Sequence, residues 1–184
     1  MRTLTLQTQV TLDGYMAGPN GEMDWIGAEW SEDVGAYITG IMRGVDTILL
    51  GRHLAEGFIP HWAARPEYEP AESIDFMNNS RRVVISRTLT ESAWENAEIA
   101  GPDLVEAVTA LKSAEGGGII AYGGGELVAS LLEAGLVDEI HLFTHPVTIG
   151  EGMPVFGGGR RNCTRASVTP FECGITAWHL RPRG

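Results

Sequence analysis

The chain has 184 residues, 43% of them hydrophobic, which is enough to bury a sizeable core within one domain spanning 1–184. Its 13 basic residues stand against 24 acidic ones, a net charge of -11, which argues against a general nucleic-acid binder because neutralising phosphates needs a clustered positive surface. No stretch approaches the ~20 apolar residues of a membrane span and no apolar leader opens the chain; Cys163 and Cys173 are too few for a disulfide framework or a four-thiolate metal site, so a cytoplasmic protein with reduced thiols is expected.

Leu4, Leu6, Val10 and Leu12 alternate with polar residues, the period of a half-buried strand, and a loop rich in Gly, Pro and Asn follows, DGYMAGPNGEMDW. Trp30, Val34, Ile38 and Ile41 then recur at helical spacing. A helix over about 31–43 is predicted, with Ser31 as N-cap and Glu32 and Asp33 in its first turn. DTILLG, RRVVIS and GIIAYG are short apolar runs of the kind that form parallel strands buried on both faces. HWAARPEYEPAES, after the first of these, reads as a surface connection.

GPDLVEAVTALKSAEGG predicts a crossover helix, with Pro102 at its start and Leu104, Val105, Val108 and Leu111 on one face. Another helix, about 125–134, ends at Gly135. VDEIHLFTH is a further strand, GEGMPVFGGGRR a loop, and TRASVTPFECGITAWHL a closing hairpin, so the sheet is mixed.

Ligands of open α/β sheets bind beyond the carboxyl ends of parallel strands, so the residues after each apolar run carry the functional reading. They are Gly51, Arg52 and His53; Ser86, Arg87 and Thr88; and Gly123, Gly124, Gly125 and Glu126. Glycines ahead of a helix permit close backbone approach, and the free N–H groups there favour an anion; two Arg-bearing turns could grip a second phosphate. The glycine run is either such a cradle or only a tight strand-to-helix turn, and each arginine taken alone is either a ligand or an ordinary exposed side chain. It lacks the Lys-Ser/Thr ending of a P-loop and the G-x-G-x-x-G fingerprint with a later acidic residue. Glu126 would repel a phosphate if it turned inward.

Taken in order, VTLDGYMAGPNGEMDW, DTILLGRH, VVISRT and AYGGGELVASLLEAGLVDEIHLFTHPVTIGEGMPVF resemble the dihydrofolate-reductase-like superfamily, and within it the reductase domain of the riboflavin-biosynthesis deaminase-reductase and its stand-alone relatives. The resemblance implies an α/β three-layer fold, a mixed eight-stranded sheet flanked by helices with a C-terminal β-hairpin, NADPH as hydride donor, and a homodimer. It places Gly51, Arg52 and His53 at the cofactor phosphates and Ser86 and Arg87 at the adenosine ribose phosphate. Gly123, Gly124, Gly125, Glu126 and Leu127 would line the pyrophosphate and nicotinamide ribose, with Val10, Leu12, Ala17 and Gly18 beside the nicotinamide. The zinc-binding pattern of the deaminase half is absent from the sequence.

Reduction of a C=N or C=O bond also requires a proton. Asp24, between Met23 and Trp25, and Asp33 are the candidate donors, and partial burial would raise the carboxyl into a useful range. Trp25, Phe58, His61 and Trp62, expected on loops, either cover a planar substrate or fill the core. His141 and His145 share strand parity but no third ligand accompanies them in the sequence, so no metal is expected. These residues make an NADPH-dependent reductase of a small heterocycle the leading expectation, and a non-catalytic NADP-binding or dimeric regulatory module the alternative.

Overall fold

A computed structural model describes residues 1–27 and 30–183. The elements run in chain order β1 (Leu4–Thr11), β2 (Tyr15–Ala17), α1 (Glu32–Met42), β3 (Val45–Gly51), α2 (Arg52–Ala63), α3 (Ala71–Asn79) and β4 (Arg81–Ile85). β5 (Ala97–Ala100), α4 (Leu104–Ser113), β6 (Gly118–Tyr122), α5 (Gly125–Glu133), β7 (Glu139–His145), β8 (Met153–Pro154), β9 (Cys163–Pro170) and β10 (Thr176–Pro182) complete the series. Eight strands form one sheet in the order β5-β4-β3-β6-β1-β7-β10-β9, and β2 pairs with β8 in a separate two-stranded ribbon. The β5-to-β7 part is parallel and the β9–β10 hairpin is antiparallel, which gives the mixed sheet and closing hairpin expected from the sequence.

Side-chain alternation sorts the strands between two helical layers. Leu4, Leu6, Val10, Leu49, Val83, Ile119, Ala121, Ile140 and Leu142 pack against Val108 and Leu111 of α4 and Leu127, Val128, Leu131 and Leu132 of α5. On the other face Ile48, Leu50, Val84 and Ile120 meet Ala55 and Ile59 of α2 and Met77 of α3. Farther along that face, Phe143 and Ala177 meet Val34 of α1, with Phe171 and Ile175 from the hairpin turn. The chain is therefore a helix–sheet–helix sandwich.

Several expectations shift. HWAARPEYEPAES is more than a connection: α2 runs through Pro60 and His61 to Ala63, and α3 begins at Ala71. Pro60 lies in the last turns of α2, where losing one N–H does not end the helix. Asp103, not Pro102, caps α4, its side chain accepting from the Glu106 N–H at 2.9 Å. Val105 is 51% exposed and leaves the buried stripe to Val108 and Leu111. Trp30 likewise sits on the surface, outside the α1 stripe that begins at Val34. Both cysteines are free.

Arg2 is buried beside the first strand, where its Nε donates to Gly117 O (2.7 Å) and its Nη2 to Thr47 Oγ1 (2.6 Å) and the Asp46 carboxylate. A buried guanidinium is tolerated only when its donors are met in this way.

Phe143 is fully buried, with its ring 5.7 Å from Tyr37 and stacked 6.2 Å from Phe171, so it joins α1 to the hairpin turn. Phe143→Ala is expected to lower stability by about 3–5 kcal/mol. Urea unfolding with an unchanged slope and a reduced midpoint would show it.

Candidate functional site

β4, β3, β6 and β1 are neighbours with parallel partners, so their carboxyl ends share one edge of the sheet. The three turns singled out by sequence follow the first three. Gly51 closes β3 and caps α2; a Cβ there would lie 3.3 Å from Cβ of Leu127 in α5, which sets the two turns against each other. Gly123 (φ 36°) and Gly124 (φ 85°) occupy the left-handed region, where a Cβ is strongly disfavoured. Neither α2 nor α5 has a side-chain cap at its N-cap glycine. Two sets of free helix N–H groups and two positive dipole ends therefore lie at the same edge, an arrangement that suits a polyanion.

The charged side chains frame this edge. Arg52 Nη1 lies 2.8 Å from Glu56 Oε1, and its Nη2 is 3.0 Å from His53 Nε2. Arg87 is 80% exposed, and its Nη2 is 3.7 Å from Glu126 Oε2, itself 84% exposed. Glu126 thus extends outward to Arg87 and away from the glycines, so its charge does not block the cradle. Pairs this exposed contribute little to folding, which leaves Arg87 free to exchange its partner for a stronger anion. Ser86 is buried, and its Oγ accepts from the Thr88 and Leu89 N–H groups at 3.2 and 2.9 Å, which shapes the turn and leaves the hydroxyl hydrogen to donate.

The loop after β1 reaches the same place. Ala17 pairs with Met153 in the β2–β8 ribbon, and a Cβ on Gly125 would lie 3.5 Å from Met153 Sδ, so the ribbon sits beside the start of α5. A Cβ on Gly152 would fall 2.1 Å from Ala17 O, a close backbone approach that only glycine allows. Asp13 ties this loop to the segment after β7 by accepting from the Ile149 and Gly150 N–H groups at 3.2 and 2.8 Å; the Thr11 hydroxyl first, and these N–H groups after it, hold its carboxyl below the usual range. Gly18 adjoins the ribbon, Val10 points into the core, and Leu12 is 67% exposed beyond the strand.

The proposed substrate residues divide. Trp25 sets its ring 5.3 Å from His145, edge to face, and its buried Nε1 has no hydrogen-bond partner among the described residues. Phe58 and Trp62 belong to helix α2, not to loops; Phe58 stacks 5.6 Å from Tyr122, the residue before the glycine run. His61 turns to the α2–α3 connection, with Nε2 3.7 Å from Glu69 Oε1. Sequence reasoning missed Tyr122, whose buried hydroxyl also lacks a partner and is pushed to higher pKa by burial. It also assigned His145 no part in the site; the structure places its Nε2 2.8 Å from Gln9 Oε1, near the ends of β7 and β1.

The two carboxylates separate just as clearly. Asp33 Oδ2 accepts from the Glu172 N–H (3.1 Å) and Oδ1 from the Val34 N–H (3.0 Å), with Ser31 Oγ donating as well. The Ser31 hydroxyl is the main influence holding Asp33 low, and the carboxylate serves in this structure as a clamp between α1 and the hairpin turn. Ser31 in turn spends its hydroxyl on Asp33 and makes no N-cap hydrogen bond. Asp24 is exposed beside an exposed Met23, so the partial burial expected around it is absent; among the described residues its side chain makes no hydrogen bond. Ala28 and Glu29, in the loop expected to shape specificity, lie outside the described residues.

This sheet order, with glycine turns at its strand ends, is the α/β architecture of the dihydrofolate-reductase-like fold. Residues 2–177 match the RibD C-terminal domain, and the chain belongs to that family. It is 37% identical over 179 residues to the uncharacterized protein YyaP of Bacillus subtilis (strain 168), covering 95% of this chain and 92% of that one. The fold is shared with the Thermotoga maritima diaminohydroxyphosphoribosylaminopyrimidine deaminase/5-amino-6-(5-phosphoribosylamino)uracil reductase, at TM-score 0.70 and 16% identity, over 99% of this chain and 57% of that one. It is shared also with Enterococcus faecalis dihydrofolate reductase, solved in complex with NADP(H), at TM-score 0.66 and 14% identity, over 99% and 97% of the two chains.

Burial pushes the His145 imidazole below its ordinary value, so the folded protein resists a proton that the unfolded chain accepts. The stability tied to it is complete above the ordinary imidazole pKa and declines as pH falls below that value. Unfolding measured from pH 8 to 5 should show this decline, and His145→Gln should make it shallower, leaving the part contributed by His141, whose imidazole pKa is also lowered by burial.

Proposed function

We propose that this chain is a reductase that passes a hydride from NADPH to a small planar heterocycle, of the aminouracil reductase or dihydrofolate reductase type. The observation that carries the reading is the convergence of two uncapped helix N-termini, the left-handed Gly123–Gly124 turn and two arginines on one sheet edge. Its family membership and the reductase names of its structural neighbours support the same reaction class.

The residues fit a phosphorylated dinucleotide. Backbone N–H groups at Gly123–Leu127 and at Arg52–His53 would hold the pyrophosphate, with Arg52 adding charge. Ser86 and Arg87 would take the ribose phosphate, Arg87 releasing Glu126 to do so. Val10, Leu12, Ala17 and Gly18 would border the nicotinamide, which supplies the hydride when bound. Trp25 and Tyr122, each with a buried unpartnered polar atom, and Phe58 beside Tyr122 would face the heterocycle, with His61 and Trp62 forming the outer wall on α2. Asp24, whose oxygens are free among the described residues, would deliver the proton. The protein would act in the cytoplasm as a homodimer; among the described residues, no helix is long and apolar enough to cross a membrane.

The engagement of Asp33 favours a second reading, a cofactor-binding module without turnover. Tight NADPH binding with no oxidation by any pteridine, aminouracil or quinone acceptor would support it.

Titration with NADPH and NADH, followed by nicotinamide fluorescence, tests the assignment. Arg87→Ala is expected to weaken NADPH by about 1–3 kcal/mol and to leave NADH unchanged, whereas Arg52→Ala should weaken both. An unaltered NADPH preference in Arg87→Ala would overturn the assigned role.

A further inference from the structure

At the far end of β7 from the glycine edge, three residues of metal-binding type meet. Glu139 and His141 lie two residues apart on β7 and share one sheet face, and His179 of β10 is the direct cross-strand neighbour of His141. One ring nitrogen of each histidine and one Glu139 carboxylate oxygen lie within 4.8 Å of one another. Sequence parity pairs His141 with His145 and leaves the set short; the antiparallel hairpin substitutes His179 and Glu139.

We propose that Glu139, His141 and His179 bind one divalent transition-metal ion of the zinc class and so fasten the C-terminal hairpin to the parallel sheet. Each surrounding contact leaves the needed atom free. Arg181 holds Glu139 Oε1, with Nη2 at 3.1 Å and Nε at 3.2 Å, and Oε2 is the oxygen turned to His179, 3.3 Å from its Nε2. That approach lacks hydrogen-bond geometry: His179 Nε2 is buried without a partner, an arrangement that costs free energy unless something satisfies it. Tyr37 Oη occupies Nδ1 of His141 at 3.0 Å, which leaves Nε2 for a metal and supplies the outer hydrogen bond that orients metal-ligating imidazoles.

Two histidines and one glutamate are an established three-ligand set for zinc, with a fourth position left to water. The imidazoles now stack 4.2 Å apart at 14°, so binding requires them to tilt until both lone pairs converge, a motion about the soft ring torsion. His141 and His145 are four residue steps apart on the strand, roughly 13 Å, so the ion stands apart from hydride transfer and acts on stability.

The test uses the untagged full chain stripped with EDTA. Calorimetric titration with Zn²⁺ should give one site per chain and a raised Tm; Co²⁺ should give a visible ligand-field band that Zn²⁺ abolishes, and Mg²⁺ should give neither. His179→Gln and Glu139→Gln should each weaken Zn²⁺ by at least about tenfold. Absence of Zn²⁺ uptake at micromolar free metal would overturn the proposal. So would a site of unchanged affinity in Glu139→Gln, which decides alone if His179→Gln does not fold.

Discussion

Parallel pairing is the constraint on which the rest of this molecule depends. Because β4, β3, β6, β1 and β7 run the same way, every chain reversal must cross a face of the sheet, and every strand ends at the same edge. Helices α2 and α5 start there with their N–H groups uncapped. The same pairing buries β3 and β6 on both faces and forces apolar side chains on both sides of each strand. Glycine at 51, 123 and 124 then permits the turns to nest, one against Leu127 and another against Leu54.

This geometry resolves how an acidic chain can present an anion site. A phosphate-binding edge needs no basic face if backbone dipoles do most of the work and a few arginines complete it. Arg87 and Glu126 are joined across two of the turns, so under the proposed function an incoming phosphate would meet an arginine that is positioned but not consumed. Loops from the other half of the chain close the edge: Asp13 grips the segment after β7, and Gly152 meets the backbone at Ala17. Binding energy and loop order are thereby drawn from elements distant in sequence.

Much of this was legible in the residues. DTILL, RRVVI and GIIAY read as buried strands because both of their faces are apolar, and the three turns could be set side by side once those strands were taken as parallel. β5, AEIA, escaped because a short edge strand with an exposed Glu98 carries no such run. α2 escaped because Pro60 and a scatter of aromatic and charged residues mask its period. Asp33 shows the deeper limit: a carboxylate at a helix start reads equally well as acid or cap, and only the Glu172 N–H, brought back by the hairpin, decides between them. His179 is the same case, since its neighbourhood with His141 is created by strand pairing alone.

The central claim is that the glycine edge is a dinucleotide phosphate site, and a crystal structure with NADPH soaked or co-crystallised tests it most directly. The account predicts the pyrophosphate within hydrogen-bond distance of the backbone N–H groups at Gly124–Leu127, with the ribose phosphate on Arg87 and Glu126 displaced from it. A cofactor bound elsewhere, or an Arg87–Glu126 pair undisturbed beneath a bound cofactor, would contradict it.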